Sequence, residues 1–197
     1  YLQGFNARQN FTEGQNDAYS NKVNTTREQT DPAYAVGVSA FNDAKNQVLT
    51  GSHTASGQGQ VYNDAYNQAL QNLTNNYNDG SNAFLNNGEN NTNETSSVAT
   101  QVANQGYQDA VDGYNGATNN NNQNLPGYIL GKSIKSGVTD LLSGNSDNAS
   151  QSPNSSGYEK GYQDALAAFT NGVNTGNVSQ SAGQTKAYQD GLSAAEN

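Results

Sequence analysis

The feature that most restricts how this chain can fold is the placement of its glycines. In "GYEKGYQDALAAF" (157–169), Gly157 and Gly161 stand four apart at the head of a good helical run. A glycine inside a helix costs about 1 kcal/mol against alanine. Gly157, Gly161, Ala165 and Ala168 fall on one helical stripe with almost no side chain, and Tyr158, Tyr162, Leu166 and Phe169 form a stripe of large groups beside it. This arrangement predicts a second helix lying against the bare stripe at close range, with the rings sealing the contact from the side. Small residues serve such close crossings in membranes. In water the driving force is burial of the rings, each covering about 150–250 Å².

The same three-and-four stepping runs through the chain. It links Tyr34, Gly37, Phe41, Ala44 and Val48, then Tyr62, Tyr66, Ala69, Leu73, Tyr77, Gly80 and Phe84. Small residues alone carry it at Ala99, Ala103, Gly106, Ala110, Gly113 and Ala117, and it returns at Tyr128, Gly131, Ile134, Val138 and Leu141. These steps predict an all-α fold of about seven helices at 2–23, 32–49, 60–86, 96–118, 126–143, 157–171 and 184–195, in close-packed antiparallel pairs or bundles. The third is expected to weaken near "NLTNNYN". Asp31 before Pro32, "SGYE" at 156–159, Thr95 or Ser96, and Pro126 are the expected helix starts. Gly51, Gly88, Gly144 and Gly172 are the expected stops, so a polar residue at Gly172 would be tolerated.

A tetrapeptide recurs: aromatic, Asn or Gln, Asp, then Ala or Gly. Its copies begin at Phe41, Tyr62, Tyr77, Tyr107, Tyr162 and Tyr188, with a degenerate "QNDA" at Gln15. Self-similarity of this kind marks repeat architecture. The whole of 1–197 reads as one helical-repeat region, with sub-units at 1–88, 89–145 and 146–197 divided by Asn/Ser/Gly-rich loops. The aromatic and small residues of the tetrapeptide should face inward, and its Asp outward near helix starts, where a negative charge suits the helix dipole. A row of these carboxylates binding calcium or a partner is the alternative.

Composition narrows the function. The formal net charge is −9 and no basic patch exists, which speaks against nucleic acid and anionic membranes as partners. There is no Cys, so thiolate chemistry, disulfides and zinc clusters are out. No run of residues suits a membrane span, so no membrane insertion is expected. His53 is the only histidine and reads as a solvated loop residue. No nucleophile elbow, phosphate loop or calcium loop is present. No catalytic, cofactor-binding or metal-binding residue is singled out, no cofactor is expected, and the chain is read as not an enzyme. Eight Asn-x-Ser/Thr sequons, at Asn10, Asn24, Asn72, Asn90, Asn93, Asn148, Asn154 and Asn177, read mainly as polar filler. The chain opens without Met and is expected to be a mature or excised piece.

The segments "GYEKGYQDA" and "GYQDAVDGYNGA", with the Asn/Gln/Ser/Thr-rich loops between helices, resemble repeat regions of large adhesin-like surface proteins of lactic-acid-type Gram-positive bacteria. The resemblance covers about half the chain. It implies a secreted, cell-surface protein with a structural or adhesive role. Partners would be a host or bacterial surface protein or glycan, or further copies of the chain. A self-assembling filament or matrix subunit and a glycan- or calcium-binding module are the alternative functions. No sorting motif accompanies the likeness, and no functional residue carries over from it.

Overall fold

A computed structural model describes residues 2–87, 97–118, 122–181 and 183–197. The described residues are all-α, with no strand among them. The helices are α1 (Leu2–Tyr19), α2 (Thr25–Thr30), α3 (Pro32–Thr50), α4 (Gln60–Asn87), α5 (Val98–Asn115), α6 (Pro126–Leu142), α7 (Ser155–Thr175) and α8 (Lys186–Ala195), with a 3-10 turn at Ala149–Gln151. Two compact units result. The first is Tyr1–Tyr77 with Thr92–Asn104, and the second is Asn78–Asn91 with Gln105–Asn197.

Local chemistry sets the helix ends. Asp31 accepts hydrogen bonds from the amides of Ala33 (3.1 Å) and Tyr34 (3.2 Å), with Pro32 opening α3. Gly51 closes it with φ +72°, a conformation that only glycine adopts at low cost. α2 was hidden in the sequence: Asn24 caps it through the Arg27 amide, and it lasts only six residues. The start of α7 lies at Asn154, whose side chain takes the Gly157 amide at 2.8 Å, and not at Ser156. Thr95, Ser96 and Gly88 lie outside the described residues, and Ser97 accepts the Thr100 amide at 3.4 Å at the head of α5. α4 runs unbroken through "NLTNNYN", because Leu73 and Tyr77 are buried and hold the segment against its Asn content.

Gly172 corrects the sequence expectation. It lies inside α7, which ends at Gly176 with φ +66°. Gly172 is buried, and a Cβ there would press on Cβ of Ala195 at 2.6 Å. It continues the bare stripe instead of ending it, so asparagine would not be tolerated.

Close approach of backbones is the rule at the crossings. In the first unit, a Cβ on Gly14 would overlap the Tyr34 carbonyl oxygen, and one on Gly37 would overlap that of Phe11. In the second unit Gly113 and Gly131 face the carbonyls of Tyr128 and Ala110, and Gly137 and Gly161 face those of Tyr158 and Ile134. Gly191 faces that of Ala165. In the pairs α1 with α3, α5 with α6 and α6 with α7, numbers rise on one helix as they fall on its neighbour, so these three pairs are antiparallel. Rings and branched aliphatics fill the space beside the contacts. Tyr34, Val38 and Phe41 are buried in the first unit, and Phe84, Tyr114, Ile134, Val138 and Tyr158 in the second.

The seal over α7 is shorter than the sequence suggests. Tyr158 is buried, and Tyr162 is half-buried and stacks on it with ring centroids 6.4 Å apart. Leu166 and Phe169 are exposed, each at 39%. The N-terminal half of α7 therefore carries the ring cover, and the C-terminal half relies on the small-residue contact with α8.

Candidate functional site: tyrosine latches and an apolar groove

The recurring side chains form latches between consecutive helices. The first helix of a pair carries a small residue and, three positions later, an Asp or Asn. The second carries Tyr and, three positions later, Gly or Ala. The small residues let the backbones meet. The tyrosine hydroxyl then reaches back to the acidic or amide side chain.

Tyr34 donates to Asp17 at 2.7 Å and accepts the Asn24 amide at 2.9 Å. Tyr158 donates to Asp140 at 2.8 Å and accepts the Asn148 amide at 3.0 Å. In both latches the loop amide comes from the residue ten positions before the tyrosine. The carboxylate lies 17 positions before it in the first and 18 in the second. Tyr62 donates to Asp43, 19 positions back, and Asp43 also accepts from the Ser56 amide (2.7 Å) and hydroxyl (2.6 Å). At α7 and α8 the acid is replaced: Asn171 donates to the Tyr188 hydroxyl at 3.5 Å, 17 positions away. At α5 and α6 the corresponding position is Gly116, and Tyr128 donates to the Ala117 carbonyl at 2.9 Å. Each latch gathers loop and helix ends that burial alone would leave loosely fixed.

Asp190 ties α8 to α5 and α6. It accepts from Tyr114 (2.8 Å), Lys135 (2.7 Å) and Lys186 (2.9 Å), and the Lys135 ammonium lies 4.9 Å from the Tyr114 ring centroid. Asp109 is fully buried and accepts from Gln105 at 2.9 Å and Asn122 at 2.8 Å. Asp164 accepts from Lys160 and, at 2.7 Å, from Thr185. These partners overturn the helix-dipole reading of the recurring Asp. None of α3, α4, α5, α7 or α8 has an acidic residue in its first turn. Asp43, Asp109, Asp164 and Asp190 serve as acceptors for a neighbouring helix or loop, whereas Asp64 is exposed and accepts from Gln60 of its own helix.

The electrostatics keep protons on the tyrosines. Burial raises the pKa of Tyr34, Tyr62, Tyr114 and Tyr158, and the neighbouring carboxylates add to the rise. For Asp43 and Asp190 burial opposes charge. Hydrogen bonds outweigh it and hold both below the ordinary range: Ser56 and Tyr62 act on Asp43, and Lys135, Lys186 and Tyr114 on Asp190. Asp140 is lowered by Asn145 and Tyr158. A depressed carboxylate contributes stability above its unfolded pKa of about 3.9, which is lost as pH falls through the folded value. A raised tyrosine contributes stability below its unfolded pKa of about 10, which is lost as pH rises through the folded value. Thermal melts followed by circular dichroism should therefore show a plateau from about pH 4 to pH 10, with the midpoint dropping on both sides. A midpoint that keeps rising below pH 4 would contradict the latch electrostatics.

His53 is exposed, its ring centroid 4.4 Å from that of Tyr66. Among the described residues no three His, Asp or Glu side chains gather as a metal site, and no helix is long and apolar enough to cross a membrane. Asn90 and Asn93 lie outside the described residues. Of the other sequon asparagines, Asn24 and Asn154 cap helices, Asn10 accepts from Arg27, and Asn177 accepts the Ser179 amide.

One large concavity stands apart from the latches. A groove of about 850 Å³ in the first unit is lined by α1, the start of α3 and the start of α4. Phe5, Phe11, Val36 and Val61 give it an apolar wall, and Arg8 stands beside them. Phe5 is 67% exposed and Val61 54%. The chain matches no protein-family model, no curated protein sequence and no solved structure.

Proposed function

We propose that the chain is a non-enzymatic structural and adhesive repeat module of an extracellular bacterial surface protein. One observation carries this reading. The latch tyrosines and their Asp or Asn partners join helix to helix, and the groove is walled mainly by Phe5, Phe11, Val36 and Val61, with Asp64 the one recurring Asp that lines it. Tyr34, Tyr62 and Tyr158 each hold a carboxylate, and in each pair the proton is confined to the tyrosine. Such a pair is a fastening and a poor proton shuttle, because general acid–base catalysis wants a pKa near the working pH. A fold fastened this way needs few aliphatic residues, which suits a polar chain in a hydrated surface layer.

The test has two arms. An antibody raised against the chain should label intact source cells as strongly as permeabilised ones. The purified chain should show no turnover across a broad panel of hydrolase substrates. Labelling that appears only after permeabilisation would overturn the location. Turnover lost on a single Asp or Glu substitution would overturn the non-enzymatic role.

A further inference from the structure

Asn–Gly pairs occur in the chain at 87–88, 115–116 and 171–172. Gly88 lies outside the described residues. The other two pairs have opposite surroundings. Asn115 is the last residue of α5, and both it and Gly116 are exposed. Gly116 has φ +69°, and a Cβ there would meet nothing within 4 Å. Its amide reaches the Gly113 carbonyl at 3.3 Å, beyond the usual length of about 2.9–3.0 Å. Among the described residues no hydrogen bond holds the side-chain amide of Asn115. Asn171, by contrast, sits inside α7 and donates to the Tyr188 hydroxyl at 3.5 Å. Gly172 is buried, with a Cβ there only 2.6 Å from that of Ala195, and an amide inside a helix is bonded to the carbonyl one turn back.

We propose that Asn115 is a site of spontaneous deamidation, and that its isoaspartyl product unfastens α5 from α6. The main-chain nitrogen of Gly116 loses its proton to water or hydroxide and attacks Cγ of Asn115. A C–N bond forms, the side-chain amide leaves as ammonia, and a five-membered succinimide results. Glycine favours the attack because no side chain shields its nitrogen. Water then opens the ring. Cleavage at Cγ leaves Asp, and cleavage at the main-chain carbonyl leaves isoaspartate, whose backbone runs through Cβ and Cγ. Overall, one water enters and one ammonia departs. At Asn115 the ring can close once the last turn of α5 frays, whereas at Asn171 α7 must open and Gly172 must leave Ala195.

Isoaspartate adds one main-chain carbon between 115 and 116, where three hydrogen bonds meet. The Gly116 amide donates to Gly113, the Ala117 amide to the Asp112 carbonyl at 2.9 Å, and the Tyr128 hydroxyl to the Ala117 carbonyl at 2.9 Å. The latches at Tyr34, Tyr62 and Tyr158 end on side chains of the preceding helix, but the one at Tyr128 ends on main chain just past the altered link. The new negative charge, disfavoured at a helix C-terminus, has Lys132 and Lys135 beside it in the same cleft. The lengthened main chain is therefore the cause of the loosening.

Peptide mass mapping of the chain aged at mildly alkaline pH should find deamidation at Asn115 about tenfold faster, or more, than at Asn171. Isoaspartate at residue 115, labelled by isoaspartyl methyltransferase, should rise in step. The melting midpoint of the aged parent should fall. Aged Asn115→Gln should keep the midpoint of its fresh sample, because glutamine would have to close a six-membered ring. Asn115→Asp carries the charge without the added carbon and should melt near the parent. Equal rates at Asn115 and Asn171 would overturn the site. The unfastening would be overturned by an aged parent that melts like the fresh one, by a fall on ageing that Asn115→Gln does not prevent, or by Asn115→Asp melting as low as the aged parent.

Discussion

Gly161→Leu is expected to destabilise the second unit by about 3 kcal/mol, read as a fall of about 10 °C or more in the melting midpoint. The first added carbon already overlaps the Ile134 carbonyl oxygen. Main chain cannot swing aside as a side chain can, so α6 and α7 must separate. Separation also lifts the opposed contact, in which Gly137 meets the Tyr158 carbonyl, and loosens the packing of Tyr158 and Ile134 in the seam. Leucine recovers about 0.8 kcal/mol in helix propensity, too little to compensate. Gln163→Leu adds the same side chain to an exposed position of α7 and should leave the midpoint near that of the parent. If Gly161→Leu melts like the parent, backbone contact is not what joins these helices.

Most of the helices were legible because their signals are local. Three-and-four stepping at Tyr34, Gly37 and Phe41, Asp31 ahead of Pro32, and Gly51 after Thr50 each act within a turn or two. The close crossings were legible too, since a glycine such as Gly161 in a good helix needs a reason. What stayed hidden depends on residues that meet only after the helices fold together. α2 is too short to show a period. The latch carboxylates Asp17 and Asp140 find their tyrosines 17 and 18 positions on, across a loop whose path the sequence does not reveal. One signal was available: the interval from Asn24 to Tyr34 equals that from Asn148 to Tyr158. The stop placed at Gly172 failed because helix-interior and helix-ending glycines look alike until a neighbour such as Ala195 is known. The groove was invisible for a related reason. Phe5 and Val61 lie far apart in sequence, and nothing local marks either as a residue left uncovered.

Tyr34→Ala should cost about 3–5 kcal/mol, because the ring is fully buried and holds α1, α3 and the intervening loop at once. Tyr34→Phe separates the latch from the packing. It keeps the ring but deprives Asp17 of a donor and the Asn24 amide of its acceptor, for about 1–2 kcal/mol. The cation–π contact of Arg27, 4.6 Å from the ring centroid, survives in the phenylalanine variant and is lost in the alanine variant. A double-mutant cycle of Tyr34→Phe with Asp17→Asn should return a coupling of about 1 kcal/mol, within the range for directly bonded neighbours. The same cycle at Tyr158 and Asp140 should return a similar value. The two latches share their donor, acceptor and loop-amide partner, and their hydroxyl–carboxylate distances are 2.7 and 2.8 Å. Equal couplings at the two places would mean that the repeat preserves a fastening. A coupling near zero at both would leave the tyrosines as packing residues, and the recurrence of Asp opposite them would need another cause.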